Sequence, residues 1–219
     1  MKPGLVIFDC DGVLVDSEVA SNEVIRDNLA RYGLHLELPR VMQLFVGGTM
    51  EMVQQKARAL GADLPDDWQD EVYGETFARL RQGVNPVAGI RAVLTGLEQA
   101  DIAFCVASNG SEEKMQITMG HSDLWQLFQG RIFSAKTLNM AKPAPDLFLH
   151  AAKMFGIPPD NCIVIEDSVN GVLAARRAKM RCLGYAEHGD GQNLADQGAE
   201  VFRAMQDLPA LIGIAGRGA

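Results

Sequence analysis

Short, continuous apolar runs that alternate with helical patterns are the feature that most constrains how this chain can fold. The first run is Leu5-Val6-Ile7-Phe8, and later runs lie at residues 102–107, 162–165 and 181–184, with a shorter one at 132–133. Strands that are apolar on both faces are buried on both faces, and helices between such strands cover them. The pattern predicts an α/β fold whose core is a doubly wound parallel sheet.

Residues 17–82 contain no convincing strand pattern, and four helices are predicted there, at 18–32, 38–45, 49–60 and 66–81. The segment therefore reads as a helical cap, residues 16–84, inserted after the first strand of a catalytic core formed by residues 1–15 and 85–219. Ser17 is predicted to cap the first of these helices.

Composition excludes several classes of protein. The chain has 219 residues, and 28 acidic against 20 basic side chains give a formal charge of −8 without a basic run, so nucleic-acid binding is not expected. No apolar run approaches the ~20 residues that span a bilayer. The four cysteines show no Cys-x-x-Cys spacing and no signal peptide precedes them, which predicts reduced thiols and a cytoplasmic location. We expect a monomer or a weak dimer.

Two carboxylates, Asp9 and Asp11, stand where the first apolar run ends, and Gly12 follows them. Carboxylates so close repel each other, which suits a divalent metal site or a nucleophile beside a general acid. A solvated Asp-rich turn is the alternative for these two residues taken alone.

Polar side chains also follow two other predicted strands. Ligands bind at the carboxyl ends of the strands in an open parallel sheet, so these groups are expected to converge. Each has an ordinary structural role by itself: a serine caps a helix, a lysine lies at the surface, and acids favour a helix N-terminus. A bound phosphate explains all of them at once. The groups are Ser108-Asn109-Gly110, Glu166-Asp167 and, in a loop before a helix, Lys142.

The chemistry of these groups suggests individual roles. Asp9 is the better-placed nucleophile for attack on phosphorus, and Asp11 is the proton donor and acceptor. Mg²⁺ prefers oxygen ligands, which Asp9 and Asp167 can supply directly while Glu166 holds a coordinated water.

The same interpretation assigns the groups that bind the phosphate. Ser108 and the amides around Asn109 and Gly110 would hold its non-bridging oxygens, and Lys142 would neutralise charge. In the cap, Gly47, Gly48 and Thr49 are candidate contacts for the leaving group, although a helix-connecting turn with Thr49 as its N-cap accounts for them equally well.

The order and spacing of four motifs across nearly the whole chain resemble those of the haloacid dehalogenase superfamily, with its Rossmann-like core. This resemblance implies a Mg²⁺-dependent mechanism in which Asp9 carries the phosphoryl group, Asp11 is the acid/base, and the backbone carbonyl of Asp11 is a metal ligand. The motifs are Asp9-x-Asp11-Gly12-Val13-Leu14-Val15-Asp16-Ser17-Glu18, Val106-Ala107-Ser108-Asn109-Gly110, Lys142-Pro143-x-Pro145-Asp146 and Ile165-Glu166-Asp167-Ser168-x-x-Gly171.

The position of the insert resembles the β-phosphoglucomutase-like subgroup, which includes many small sugar-phosphate phosphatases. Members of the mutase type carry basic groups in the cap loop and a His after the hinge, whereas this chain has residues 45–50 Phe-Val-Gly-Gly-Thr-Met and residues 19–21 Val-Ala-Ser. A phosphatase acting on a small phosphorylated metabolite, a sugar phosphate or a sugar-acid phosphate, is favoured over a phosphohexomutase. Local similarity at residues 106–120 and 148–153 is greatest to the 6-phosphogluconate phosphatase type.

A phosphoacceptor switch like a response-regulator receiver domain is a remote alternative, since such domains also use aspartates, a hydroxyl and Lys-Pro at strand ends. The chain is much longer than one receiver domain, and its second acid pair follows the lysine instead of preceding it. A silent interaction protein on the same fold has little support, because no motif residue is missing.

Overall fold

The computed structural model describes residues 2–45, 50–187 and 189–214. The chain divides into two compact units, Met1–Val15 with Pro86–Ala219, and Asp16–Asn85.

The first unit is built on a six-stranded sheet in which every pair of neighbouring strands is parallel, in the order β3-β2-β1-β4-β5-β6. The strands are β1 (Leu5–Phe8), β2 (Ala103–Ser108), β3 (Ile132–Ser134), β4 (Cys162–Glu166), β5 (Arg181–Tyr185) and β6 (Glu200–Phe202). All four residues of β1 are buried, as expected for a central strand covered on both faces. The predicted α/β fold is confirmed.

Register in the sheet determines which strand ends are neighbours. Phe8 in β1 is paired with Val106 in β2 and with Ile165 in β4. The chain therefore leaves β1 at Asp9 between the carboxyl ends of β2 and β4, and the Asp9 amide donates a hydrogen bond to the Ile165 carbonyl, 2.9 Å away.

Among the described residues, eight α-helices of this unit connect the strands or follow them. Ser111 caps the helix after β2, and Ser168 caps the helix after β4, each accepting a hydrogen bond from a first-turn amide. These caps fix the loops at two of the three strand ends that carry the motifs. The helices are α5 (Ile90–Gln99), α6 (Glu112–Gly120), α7 (Leu124–Phe128), α8 (Ala135–Leu138), α9 (Asp146–Phe155), α10 (Val169–Arg177), α11 (Gln192–Ala195) and α12 (Leu208–Leu211).

The described part of the second unit has four helices, and its core packs around the fully buried Trp68. The Trp68 Nε1 donates to Asn28 Oδ1 at 2.6 Å, and Asn28 Nδ2 in turn donates to Glu71 and Glu75 at 3.0 and 3.1 Å. A buried polar network of this kind has to be satisfied to be stable. The helices are α1 (Ser17–Arg31), α2 (Leu38–Phe45), α3 (Met50–Ala59) and α4 (Trp68–Leu80), each within two residues of its predicted bounds.

Three details differ from the sequence analysis. Ser17 is the first helical residue and Asp16 occupies the cap position, so the predicted Ser17 cap is wrong. The strand β6 was not predicted, because it has only three residues and begins at the exposed Glu200. The short helices α7, α8, α11 and α12 were not predicted either.

All four cysteines are free and buried, in agreement with the predicted reduced thiols. None of the helices in the described residues is both long and apolar enough to cross a membrane.

Candidate active site

Asp9 is a buried carboxylate at the carboxyl end of the central strand, with only 8% of its surface exposed. Burial raises the pKa of Asp9 from 3.8 to about 7; Lys142 acts in the opposite direction, and repulsion from Glu166 and Asp11 adds to the rise. An ionised carboxylate is therefore costly here unless positive charge is supplied nearby.

Lys142 supplies part of that charge. Its Nζ lies 2.5 Å from Asp9 Oδ1 and 2.5 Å from Glu166 Oε1, and the residue is 5% exposed. Burial acts to lower the pKa of Lys142, but the two carboxylates outweigh burial and the pKa is raised, so the ammonium stays charged. Lys142 therefore contacts Asp9, the predicted nucleophile, directly.

Asn109 holds the main chain of Lys142 in place. Its Oδ1 accepts from the Lys142 amide at 2.9 Å and its Nδ2 donates to the Lys142 carbonyl at 3.2 Å. The Asn109 side chain therefore joins the loop after β2 to the loop that carries Lys142, which sequence reasoning did not anticipate.

The loop after β2 contains the predicted phosphate-binding groups. Ser108 is 2% exposed, and its Oγ accepts from the Gly110 amide at 3.0 Å. The Gly110 carbonyl accepts from Ser134 Oγ at 2.8 Å. Ser134, which ends β3, is a further residue that orders this loop, and its position at a strand end is the signal that could have identified it.

Glu166 is fully buried, and both of its carboxylate oxygens are engaged by the protein. Oε1 accepts from Lys142, and Oε2 accepts from the amide and the hydroxyl of Ser168 at 3.0 and 2.8 Å. A Cβ on Gly171 would lie 1.8 Å from the Glu166 Cδ, so the glycine is required for this packing. The structure thus gives Glu166 a second role, as charge partner of Lys142, while its role in holding a metal-bound water stays a prediction.

Asp167 lies against the backbone of the Asp9–Gly12 loop. A Cβ built on Gly12 would be 2.1 Å from Asp167 Oδ2, and Gly12 has a φ of +73° that favours glycine. Asp167 is therefore beside the loop that carries both predicted catalytic aspartates.

Lys114 is a site residue to which the sequence analysis gave no role. Its Nζ donates to Asp11 Oδ2 at 2.7 Å, and each of the two side chains is 26% exposed. Burial acts to lower the pKa of Lys114, but the charge and hydrogen bond of Asp11 prevail and raise it. Lys114 is in the first turn of α6, and because that turn starts at the carboxyl edge of the sheet, its location is a signal that could have identified it.

A divalent cation fits the charge of this cluster. Four carboxylates, those of Asp9, Asp11, Glu166 and Asp167, lie at this edge of the sheet with two ammonium groups, those of Lys114 and Lys142. Across residues 2–45, 50–187 and 189–214, no three acidic, His or Cys side chains form a metal-ligand cluster by themselves. The predicted ligand set adds backbone and water oxygens to the carboxylates of Asp9 and Asp167: the Asp11 carbonyl and a water held by Glu166.

The candidate cap contacts Gly47, Gly48 and Thr49 lie outside the described residues. They stay predictions.

Comparison with known proteins defines the class of this protein. A family model described as haloacid dehalogenase-like hydrolase matches residues 3–179. The chain belongs to this family of hydrolases, and the predicted membership is confirmed.

The chain is similar over nearly its whole length to a curated relative, the 6-phosphogluconate phosphatase of Escherichia coli (strain K12). The identity is 30% over 208 residues, which span 94% of this chain and 93% of the relative.

Two solved structures are also similar. A conserved haloacid dehalogenase-like protein from Agrobacterium tumefaciens has a TM-score of 0.88 at 34% identity, covering 96% of this chain and 97% of the other. A HAD family hydrolase from Deinococcus radiodurans, solved with bound phosphate and sodium, has a TM-score of 0.86 at 29% identity and covers 99% of each chain.

Proposed function

We propose that this chain is a Mg²⁺-dependent phosphatase that hydrolyses a small sugar phosphate or sugar-acid phosphate through an aspartyl-phosphate on Asp9. The enzyme class, a phosphoric monoester hydrolase, follows from the family and from a relative named as a phosphatase over nearly its full length. The observation that carries the mechanism is the contact of Lys142 with Asp9 at the end of β1, beside a second aspartate that has its own lysine.

In the first half of the reaction, an Asp9 carboxylate oxygen attacks phosphorus while the bond from phosphorus to the ester oxygen breaks. The electron pair of that bond goes to the leaving oxygen, and Asp11 donates the proton that makes it an alcohol. In the second half, water attacks phosphorus, the bond to Asp9 breaks, and Asp11 takes a proton from the water. Both aspartates return to their starting states.

The remaining residues bind and neutralise the phosphoryl group. Ser108 and the amides of its loop would hold non-bridging oxygens, and phosphate would compete with Ser108 Oγ for the Gly110 amide. Lys142 stabilises negative charge on Asp9 and on the phosphoryl oxygens, in an orientation that Asn109 and Glu166 fix.

Asp9, Asp167 and the Asp11 carbonyl would hold Mg²⁺, with Glu166 acting through a water. When bound, the ion supplies Lewis-acid stabilisation of the charge on the phosphoryl group. The excess of negative charge around Asp9 supports this assignment.

The substrate class rests on the relative named for 6-phosphogluconate and on the lack of basic residues at positions 45–50 of the sequence. For the same reason the mutase alternative is not favoured. A receiver-like switch would retain its phosphoryl group, whereas Asp11 beside Asp9 gives this chain a base to hydrolyse it. The cytoplasmic location and the monomer or weak dimer stay predictions.

The test is phosphate release from ~50 phosphorylated metabolites, ranked by kcat/KM because specificity is a ratio of transition-state binding. Each assay is run with Mg²⁺ and with EDTA, and with the Asp9→Asn variant as control. Metal-dependent release that the variant lacks supports the proposal. One stable phosphate per chain without turnover would favour the switch, and release that does not need Asp9 would contradict the mechanism.

A further inference from the structure

Helix α6 packs one face against the loop that carries Asp9 and Asp11. Thr118 and Lys114 are four residues apart and so lie on the same side of this helix. Thr118 is fully buried with its Oγ1 4.0 Å from the buried Cys10 Sγ, and Lys114 reaches Asp11 one turn earlier. The residues on either side of the Cys10–Asp11 peptide are thus both contacted by one helix.

The start of this helix is itself fixed. Ser111 Oγ accepts from the Lys114 amide at 3.2 Å, which places the backbone of Lys114 in the first turn. Ionic contact between groups held by separate rigid elements loses less side-chain entropy than a contact between two mobile surface chains.

Gly110 borders the contact between Lys114 and Asp11. A Cβ at this position would lie 3.7 Å from Lys114 Cδ and 3.8 Å from Asp11 Oδ2. The same Cβ would be 3.3 Å from Ser108 Oγ, which is closer than ordinary contact. The ammonium of Lys114, the carboxylate of Asp11 and the hydroxyl of Ser108 therefore border one small volume beside Gly110.

We propose that Lys114 is a positioning residue for proton transfer: its ammonium holds the carboxyl group of Asp11 in the orientation from which Asp11 exchanges protons with the leaving alcohol and with water. This inference rests on the proposed phosphatase function. Lys114 acts through Asp11 and Lys142 acts on Asp9, so the two catalytic aspartates have separate lysine partners, one from helix α6 and one from the loop before α9.

The proposal predicts a dependence on the leaving group. The alkoxide of an alkyl phosphate is a poor leaving group and needs the proton of Asp11 as the bond to phosphorus breaks. The nitrophenolate of p-nitrophenyl phosphate leaves without a proton. A misplaced Asp11 should therefore slow formation of the phosphoenzyme for an alkyl phosphate and leave it nearly unchanged for p-nitrophenyl phosphate. The second half-reaction is common to both substrates and should slow for both.

The test measures kcat and kcat/KM of Lys114→Met for p-nitrophenyl phosphate and for the alkyl phosphate that the wild type hydrolyses best. For the alkyl phosphate, kcat/KM should fall ~10²-fold, which is what misplacement by about 1 Å costs. For p-nitrophenyl phosphate, kcat/KM should stay within ~3-fold while kcat and KM fall together, because hydrolysis of the phosphoenzyme becomes limiting. Rapid mixing should then show a burst of about one nitrophenolate per active site, as expected when a covalent intermediate accumulates.

Controls separate this role from others. Lys153→Met changes an exposed lysine of the same unit and should leave all constants unchanged. Lys114→Arg should recover part of the alkyl activity, and Lys114→Gln repeats the test if the Met variant does not fold. Equal losses of kcat/KM on both substrates would overturn the inference, since they would show that Lys114 binds phosphate or only supports the fold. A wild type without metal-dependent turnover of either substrate would overturn the proposed function, and this inference with it.

Discussion

Lys142 and Asp9 are 133 residues apart in the chain, yet Lys142 Nζ is 2.5 Å from Asp9 Oδ1. The same nitrogen is 2.5 Å from Glu166 Oε1, so one ammonium group is shared by two buried carboxylates. The ammonium group of Lys142 therefore contributes both to the stability of this edge of the sheet and to the chemistry proposed for Asp9.

Lys142→Met should destabilise the protein, because it leaves the carboxylates of Asp9 and Glu166 buried without their cation. Removing one partner of a buried ion pair costs about 3–5 kcal/mol. Urea unfolding at neutral pH measures this loss, and the double variant Lys142→Met/Glu166→Gln should recover part of it. A single variant as stable as the wild type would show that the contact contributes little.

Asp9→Asn should abolish turnover and retain the fold. The amide is the same size as the carboxylate and still accepts a hydrogen bond from Lys142, but it cannot attack phosphorus. Phosphate release and circular dichroism on the same sample make the comparison. Activity above a small fraction of the wild type would remove Asp9 as the nucleophile.

Without metal, stability should decrease as pH rises from about 4 to about 7. The pKa of Asp9 is raised in the folded protein, from 3.8 to about 7, so the folded state binds more protons than the unfolded state in this interval. The stabilisation that protonated Asp9 contributes is present in full below the ordinary pKa of 3.8, and it is lost as pH rises through the folded-state pKa of about 7. Unfolding curves in EDTA test this, with Asp9→Asn as the control in which the slope should flatten.

Added Mg²⁺ should reverse that loss and should also restore activity after EDTA treatment. An ion that binds only the folded state stabilises it by mass action, and it should bind more tightly at higher pH because protons on Asp9 compete with it. The shift of the melting temperature with Mg²⁺ should thus be larger at about pH 8 than at about pH 5. Hydrolysis that continues in excess EDTA would argue against a metal enzyme.

The sequence was sufficient to locate the edge of the sheet that carries the site, because the apolar runs that end at Phe8 and Ile165 and the run just before Ser108 are strong signals. It also indicated that Asp9, Lys142 and Glu166 would be close together. The strand β6 begins at an exposed glutamate and has too few residues to produce a pattern. Ser17 stands one position too late to cap its helix, a difference that lies within the usual uncertainty of helix ends.

Side-chain partners were much harder to predict than positions. The first turn of α6 places Lys114 near the site, but the local sequence does not show that its side chain reaches Asp11 rather than solvent. Nor does it show that Asn109 binds the main chain at Lys142. Both contacts join residues far apart in the chain, and their geometry depends on how the loops and helices pack. Glu166 was expected near a metal, and its use of both oxygens for Lys142 and Ser168 became visible only in the structure.

In the helical unit, Asn28→Ala should lower stability by removing the acceptor of the Trp68 indole N–H. A buried donor left without a partner costs ~1–3 kcal/mol. Chemical unfolding followed by tryptophan fluorescence measures the change, and the exposed Asn193→Ala is a control from the other unit. Equal stability of the two variants would indicate that the network of Asn28 and Trp68 is not required.

Gly12→Ala should weaken metal binding more than it weakens the fold. The new Cβ would lie 2.1 Å from Asp167 Oδ2, so the carboxylate has to move away from the Asp9–Gly12 loop. Gly130→Ala is a matched control: it has the same φ of +73° and nothing within 4 Å of its Cβ. Both variants lose ~1–2 kcal/mol of stability because an alanine is held in the left-handed conformation. Only Gly12→Ala should also need ~10–100 times more Mg²⁺ for half-maximal activity, which is the range seen when a group that supports a metal ligand is lost. Titrating activity with Mg²⁺ in both variants tests this, and equal Mg²⁺ requirements would mean that Asp167 is not a ligand.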